Sequence, residues 1–291
     1  MTPVTPSASI LVVQGSEATQ LKAAALAEMS GAPAAEAIGA HMPANAWRLR
    51  GATRHTGVAA WCAARHLDHA WIPERPRFAD LKLLAMDMDS TLITIECVDE
   101  VGAMAGKKDE ISALTAQAMR GEVDYVESLQ RRVALLAGLD EEVLQDVYDE
   151  KLRLSPGAEA LVYACKKHGI KTLLVSGGFT LFTERLKARL ELDDTISNVL
   201  EVANGKLTGR ILGPVVDAAA KAAKVRQMAQ RLGASREQIV AIGDGANDLK
   251  MMTEAGTSVA YRAKPIVRAQ ATYALDFAGL DGVIHLFNGN D

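Results

Sequence analysis

The alternation of apolar and polar positions changes character near residue 80. Downstream of it, short apolar runs recur between helical stretches: "LKLLAMD" (81–87), "IKTLLVSGG" (170–178), "QIVAIGDG" (238–245), "TSVAYR" (257–262) and "ATYALD" (271–276). Runs that stay apolar throughout suit strands buried on both faces, and parallel strands need long crossovers between them. The pattern predicts an α/β fold, a Rossmann-like parallel sheet flanked by helices. Two insertions interrupt it: a long helical stretch over about 98–152, read as a helical cap, and "VLEVANGKLTGRILG" (199–213), whose Asn204-Gly205 pair signals a hairpin. Upstream, "SILVV" (9–13) and "AWRLRG" (46–51) read as strands, while "EATQLKAAALAEMSG" (17–31) and "TGVAAWCAARHLD" (56–68) read as helices. All three tryptophans, Trp47, Trp61 and Trp71, fall in this part. Residues 1–78 are therefore expected to form a small α+β unit and 79–291 a second, larger one, with the proline-bearing "IPERPRFAD" (72–80) as a linker.

Composition narrows the class. With 291 residues and 49% hydrophobic content, the chain has material for a sizeable core. A net charge of -4 with dispersed basic residues gives no footprint for nucleic acid or an anionic membrane surface. No apolar run approaches the ~20 residues that span a bilayer, and the N-terminus lacks the basic and long apolar regions of a secretory signal, so a cytoplasmic location is expected. Cys62, Cys97 and Cys165 are scattered without CxxC spacing, which indicates reduced thiols rather than a disulfide framework or zinc site. The six histidines show no ligand spacing.

Candidate chemistry sits at the ends of the first three downstream runs. In open parallel sheets, ligands bind beyond the carboxyl ends of the strands, so Asp87, Ser176 and Asp244 are expected to meet in one crevice. With Asp89 and Asp248 added, four carboxylates would crowd there, and their repulsion calls for a cation. Oxygen donors without Cys or His favour a hard divalent ion, Mg²⁺ where phosphate is present. An aspartate carboxylate can attack phosphorus and form an acyl phosphate, which makes Asp87 the candidate nucleophile.

Four segments carry a family resemblance. "DMDST" (87–91), "SGG" (176–178), Lys221 within "AAAKAAK" (218–224) and "GDGAND" (243–248) resemble, in order, the motifs of the haloacid dehalogenase-like phosphatases. "DMDSTLITIECVDEVG" (87–102), "AMRGEVDYVESLQRRVALL" (118–136) and "GDGANDLKMM" (243–252) are similar to the branch of that family acting on O-phospho-L-serine, over roughly 81–285. The resemblance implies Mg²⁺-dependent hydrolysis of that small molecule to L-serine and phosphate through an aspartyl phosphate, the last step of L-serine biosynthesis. It implies that Asp89, at the point where the strand gives way to a loop, protonates the leaving oxygen and then activates water. Asp87, the Asp89 backbone carbonyl and Asp244 would hold the metal, with Asp248 and Asn247 orienting the site. Ser176, the Gly177 amide and Lys221 would bind the phosphoryl oxygens. Glu96 would receive the substrate ammonium, Arg132 its carboxylate, and Met119 and Tyr125 would close over it. Two alternatives stay open: transfer of the phosphoryl group to a small alcohol such as homoserine, and amino-acid sensing by the N-terminal unit. The plainer reading of that unit is structural support or homodimerisation.

Overall fold

The computed structural model describes residues 10–39, 45–54, 56–119 and 122–289. The N-terminal part builds β1 (Ile10–Gln14), α1 (Ala23–Ser30), β2 (Glu36–Ile38), β3 (Ala46–Leu49), α2 (Val58–Ala63) and β4 (Asp68–Ile72). Its sheet runs β2-β3-β1-β4 and is antiparallel throughout, Val12 lying between Arg48 and Ala70. β1 is buried along its whole length because both its faces are covered. Leu11 and Val13 join Leu26, Leu49, Val58 and Cys62 under the two helices, while Ile10 and Val12 belong to the main core with Phe78, Leu280 and Phe287. Alternate residues of one strand thus serve two cores.

Several details differ from the sequence expectation. The helices predicted over 17–31 and 56–68 are α-helical only over Ala23–Ser30 and Val58–Ala63, and the strands Glu36–Ile38 and Asp68–Ile72 were not anticipated. β4 is held by a distant partner: the Asp68 carboxylate accepts the amides of Asp276 (2.9 Å), Phe277 (3.0 Å) and Ala278 (2.8 Å). The expected linker is packed rather than free, since Phe78 is 1% exposed and its ring meets those of His168 and Phe287.

The larger part contributes, in order, β5 (Leu83–Met86), α3 (Cys97–Met104), α4 (Lys108–Met119), α5 (Tyr125–Ala134), α6 (Glu142–Asp146), α7 (Ala158–Lys167), β6 (Lys171–Phe179), α8 (Thr180–Leu190), β7 (Asp194–Ala203), β8 (Lys206–Leu212), α9 (Ala218–Leu232), β9 (Ile239–Gly243), α10 (Leu249–Thr253), β10 (Thr257–Tyr261), α11 (Pro265–Arg268), β11 (Tyr273–Leu275) and α12 (Gly282–His285). The sheet order is β11-β10-β9-β5-β6-β7-β8, parallel as far as β7 and closed by the antiparallel β7–β8 hairpin. That hairpin turns at Asn204 and Gly205, with φ of 54° and 74°, the left-handed pair that a tight two-residue turn demands. Central β5 lies between β6 and β9, with Met86 beside both Leu174 and Ile242, so the three strands end together. Leu84 and Met86 pack with Phe179 and Phe182 on one face, Leu83 and Ala85 with Val225, Met228 and Met251 on the other.

The helices α3 to α6 leave and rejoin this framework through a narrow neck. Ile93 bridges Leu154, the Thr94 amide donates to the Arg153 carbonyl (3.0 Å) and the Ser155 amide to that of Leu92 (2.9 Å). At their far end the insertion is tied to the hairpin, with Gly138 donating to the Leu207 carbonyl (2.8 Å) and Leu207 to that of Leu139 (2.8 Å). Among the described residues, no helix is long and apolar enough to cross a membrane.

Candidate active site

β5 delivers Asp87 one residue past its regular end, where the Asp87 amide still donates to the Ile242 carbonyl of β9 (3.0 Å). The chain then makes one wide turn: Leu92 donates to the Asp87 carbonyl (3.3 Å), Ile93 to that of Met88 (3.0 Å), and Ser90 takes a left-handed φ of 54°. Asp89 lies within this turn. Its Oδ1 accepts the Cys97 amide (2.8 Å), the first of α3, and its Oδ2 lies 3.4 Å from the Ser176 hydroxyl, which donates to it. A helix N-terminus is a favourable neighbour for an anion, yet burial dominates and holds the Asp89 carboxyl above the usual range.

Lys221 reaches the same point from α9. It stands one turn before Val225 on the stripe Val225, Met228, Ala229 that faces the core, which is why an ammonium is fully buried here. Its Nζ donates to Asp87 Oδ1 (2.7 Å) and Asp248 Oδ1 (2.8 Å). Burial opposes the Lys221 charge, but Asp248 and Asp87 outweigh it and keep the ammonium above the ordinary lysine range. For Asp87, burial first and the Asp248 charge second push the carboxyl well above normal, with Lys221 pulling it back. Burial and Asp248 likewise raise Asp244, to about 6.

Carboxylate oxygens of Asp87, Asp244 and Asp248 lie within 4.8 Å of one another. Two lysines, Lys221 and, beside Asp244, Lys264, face this trio together with nearby Asp89, so negative charge remains in excess. Hard oxygen donors with uncompensated charge fit a divalent cation. Each Asp248 oxygen already takes one donor, Oδ2 the Gly245 amide (3.1 Å) and Oδ1 the Lys221 ammonium, which fixes the carboxylate and leaves it further lone pairs.

β6 completes the floor. Ser176 is fully buried, its Oγ accepting the Gly178 amide (2.8 Å). Beside it, the Gly177 carbonyl accepts from Asn198 Nδ2 (2.7 Å), and Asn198 Oδ1 in turn accepts the Val216 amide (2.8 Å) just before α9. Asn198 is 1% exposed and links β6, β7 and the approach to Lys221. No sequence motif marks it, since it stands among the other polar residues Asp194, Thr195, Ser197 and Glu201 of β7. Thr91 hydroxyl to Asp244 Oδ1 (3.5 Å) is a second such tie.

The residues expected to read the substrate occupy the opposite wall, on α3 and α5. Glu96 precedes α3, opens to solvent and accepts the Ser90 hydroxyl (2.7 Å). Protein packed around its carboxyl, with the Asp89 charge, raises it to about 7. Arg132 projects from α5 with its Nε buried and without a hydrogen-bond partner among the described residues, and Asp99 Oδ1 on α3 is in the same condition. Arg132 is the principal cation acting on Asp99. Tyr125 begins α5 and presses its hydroxyl toward Gly177. Asn247 folds back over Gly245. Met119 ends α4, and its side chain lies outside the described residues. Cys97 is a fully buried free thiol, and burial pushes it well above the ordinary range.

The floor thus pairs a buried carboxylate with an ammonium, and places a second carboxyl close by at a helix end. Residues 84–253 match the haloacid dehalogenase-like hydrolase family. A phosphoserine phosphatase of Polaromonas sp. is 53% identical over 215 residues, 72% of this chain and 91% of that protein. The solved structure of a probable phosphoserine phosphatase from Vibrio cholerae superposes with a TM-score of 0.82 at 37% identity, covering 96% of this chain and 85% of that one. A phosphoserine phosphatase solved as a phospho-aspartyl intermediate analogue covers 72% of this chain and 99% of its own, with a TM-score of 0.68 at 35% identity.

Proposed function

The chain belongs to the haloacid dehalogenase-like hydrolases, and on that premise we propose that it hydrolyses O-phospho-L-serine to L-serine and inorganic phosphate, with Asp87 as nucleophile. The observation that carries this reading is the buried Asp87–Lys221–Asp248 cluster, with Asp244 alongside, at the shared end of β5 and β9. The relatives' names favour water over a second alcohol as phosphoryl acceptor.

An Asp87 carboxylate oxygen attacks phosphorus, the bond from phosphorus to the seryl oxygen breaks, and Asp89 gives its proton to that oxygen. Its raised carboxyl suits an acid that must arrive protonated. Asp89, now ionised, takes a proton from water; the oxygen of that water attacks phosphorus, and the bond to Asp87 breaks to return the free carboxylate. Ser176, the Gly177 amide and Lys221 hold the phosphoryl oxygens. Asp87, Asp244, the Asp89 carbonyl and Asp248 are the groups that would hold Mg²⁺, which when bound neutralises phosphoryl charge. Asn247 steadies that loop. Glu96 takes the substrate ammonium, Arg132 its carboxylate, and Tyr125 with Met119 covers the site.

We divide the chain at residue 78, with 98–152 as the cap. For the N-terminal unit, support of the catalytic unit is favoured by the β1 residues it shares with the main core; homodimerisation and response to serine are its competing roles. Phosphate release from phosphoserine, compared with phosphoethanolamine and with and without Mg²⁺, tests the assignment; equal rates on the two esters would overturn the amino-acid reading.

A further inference from the structure

Resting on that reading of the site, we infer that the Tyr125 hydroxyl donates a hydrogen bond to the transferring phosphoryl group, which makes this side chain a catalytic residue and not only part of a cover. A cover needs an apolar ring. The position of the hydroxyl is what an apolar role leaves without explanation.

Tyr125 is the first residue of α5, a helix start fixed by Asp124, whose Oδ1 accepts the Glu127 amide (2.9 Å). From there the ring reaches across the crevice, and its oxygen comes to rest against Gly177, in the space that a Cβ on residue 177 would fill. A side chain at 177 would displace the phenol, so the absence of a Cβ there is what admits the hydroxyl to this position. The strand it touches is not loose, because Asn198 grips the Gly177 carbonyl at 2.7 Å. Gly177 is also the residue whose amide is assigned to a phosphoryl oxygen, so the phenol oxygen borders the phosphoryl position itself.

The surrounding charges agree. Those that act on the phenol are Lys221, Asp87, Arg132 and Asp89, the groups assigned to the reacting atoms and to the substrate carboxylate. Among the described residues the hydroxyl has no hydrogen-bond acceptor, so its proton is free for a ligand oxygen. Burial pushes the phenol up to about 12, and it therefore remains a donor throughout the neutral range. A hydrogen bond to an ionised acceptor is of the stronger kind, and its value increases as charge spreads over the equatorial oxygens in the transition state.

The test compares Tyr125→Phe, which keeps the ring, with Tyr125→Leu, which removes it, on p-nitrophenyl phosphate, on phosphoserine and in inhibition by orthovanadate. For Tyr125→Phe, kcat/KM is expected to fall about 10- to 100-fold on both esters and vanadate inhibition to weaken in parallel, with most of the Tyr125→Leu defect already present. Wild-type values within twofold for Tyr125→Phe, with a defect in Tyr125→Leu alone, would show a simple apolar wall and overturn the inference. Absence of phosphoserine turnover by the wild-type protein, with p-nitrophenyl phosphate still hydrolysed, would instead remove the substrate assignment and leave the hydroxyl effect readable.

Discussion

On the floor of the site, at the ends of β5, β6 and β9, polar atoms are bound to one another. Lys221 holds Asp87 and Asp248, Asp248 holds the Gly245 amide, Ser176 holds the Gly178 amide and Asp89 holds that of Cys97. On the wall formed by α3 and α5, Arg132 Nε and Asp99 Oδ1 are buried without partners among the described residues, and Glu96 carries a carboxyl raised to about 7. The difference matches two tasks. Chemistry at phosphorus rewards groups fixed before the substrate arrives, because no reorganisation is then needed at the moment of reaction. Recognition of a small zwitterion rewards groups that only the correct ligand completes, since a ligand lacking the matching charge leaves Arg132 Nε buried and unsatisfied.

The severest break of this comparison falls on the floor. Asp87→Asn keeps the shape and removes the anionic nucleophile, so kcat is expected to fall by about 10⁴-fold or more while the far-ultraviolet circular dichroism is unchanged. Residual turnover within about tenfold of wild type would move the nucleophile elsewhere. Lys221→Met tests the interlock itself. Deleting one partner of a buried charge cluster leaves Asp87 and Asp248 facing each other, and a stability loss of about 3–5 kcal/mol is expected from urea unfolding. A change below about 1 kcal/mol would mean that the floor is not held by these pairs.

The two regions also differ in how far the sequence revealed them. The strand ends were legible because β5 and β9 are apolar throughout, β6 is apolar over Leu173–Val175, and each apolar run leads into a distinctive cluster, so convergence followed from the topology of parallel sheets. Lys221 was legible only by its order among the motifs. Its physical signal, a lysine one turn before Val225 on a buried stripe, becomes meaningful once the stripe is known to face the strand ends. Asn198 and Asp68 were invisible because their partners lie far away in sequence: Gly177 and Val216 for the first, residues 276–278 for the second. In the N-terminal unit, β2 is a short, mostly exposed segment, Glu36–Ile38, with no apolar alternation. β4 begins at Asp68, where the apparent helical pattern of 56–68 conceals the change of element.

On the wall, substitution should change selectivity and leave the chemistry intact. Arg132→Ala removes a planar fork suited to a carboxylate, and kcat/KM for phosphoserine is expected to fall about 10- to 100-fold. Turnover of p-nitrophenyl phosphate, which has no carboxylate, should stay within about threefold. Equal losses on both esters would place Arg132 with the floor, and the division between the two regions would fail at that residue.

The mildest effect separates the regions by pH alone. A carboxyl raised to about 7 is protonated below that value, so Glu96 loses the charge that would meet the substrate ammonium as pH falls through 7 and regains it above. At pH 6 about one-tenth of such a group is ionised, and KM for phosphoserine is expected to rise several-fold, up to about tenfold, relative to pH 8. The phosphate group of the ester also titrates near pH 6, so pH dependence with phosphoserine alone is ambiguous. Phospholactate removes the ambiguity because it carries the same phosphate and carboxylate and has no ammonium. Its KM should follow the phosphate titration only, and the ratio of the two KM values should isolate Glu96. In Glu96→Gln that ratio should be flat across the range. A ratio that does not move with pH in the wild-type protein would remove the ammonium contact from Glu96, and with it the claim that this wall is completed by charge.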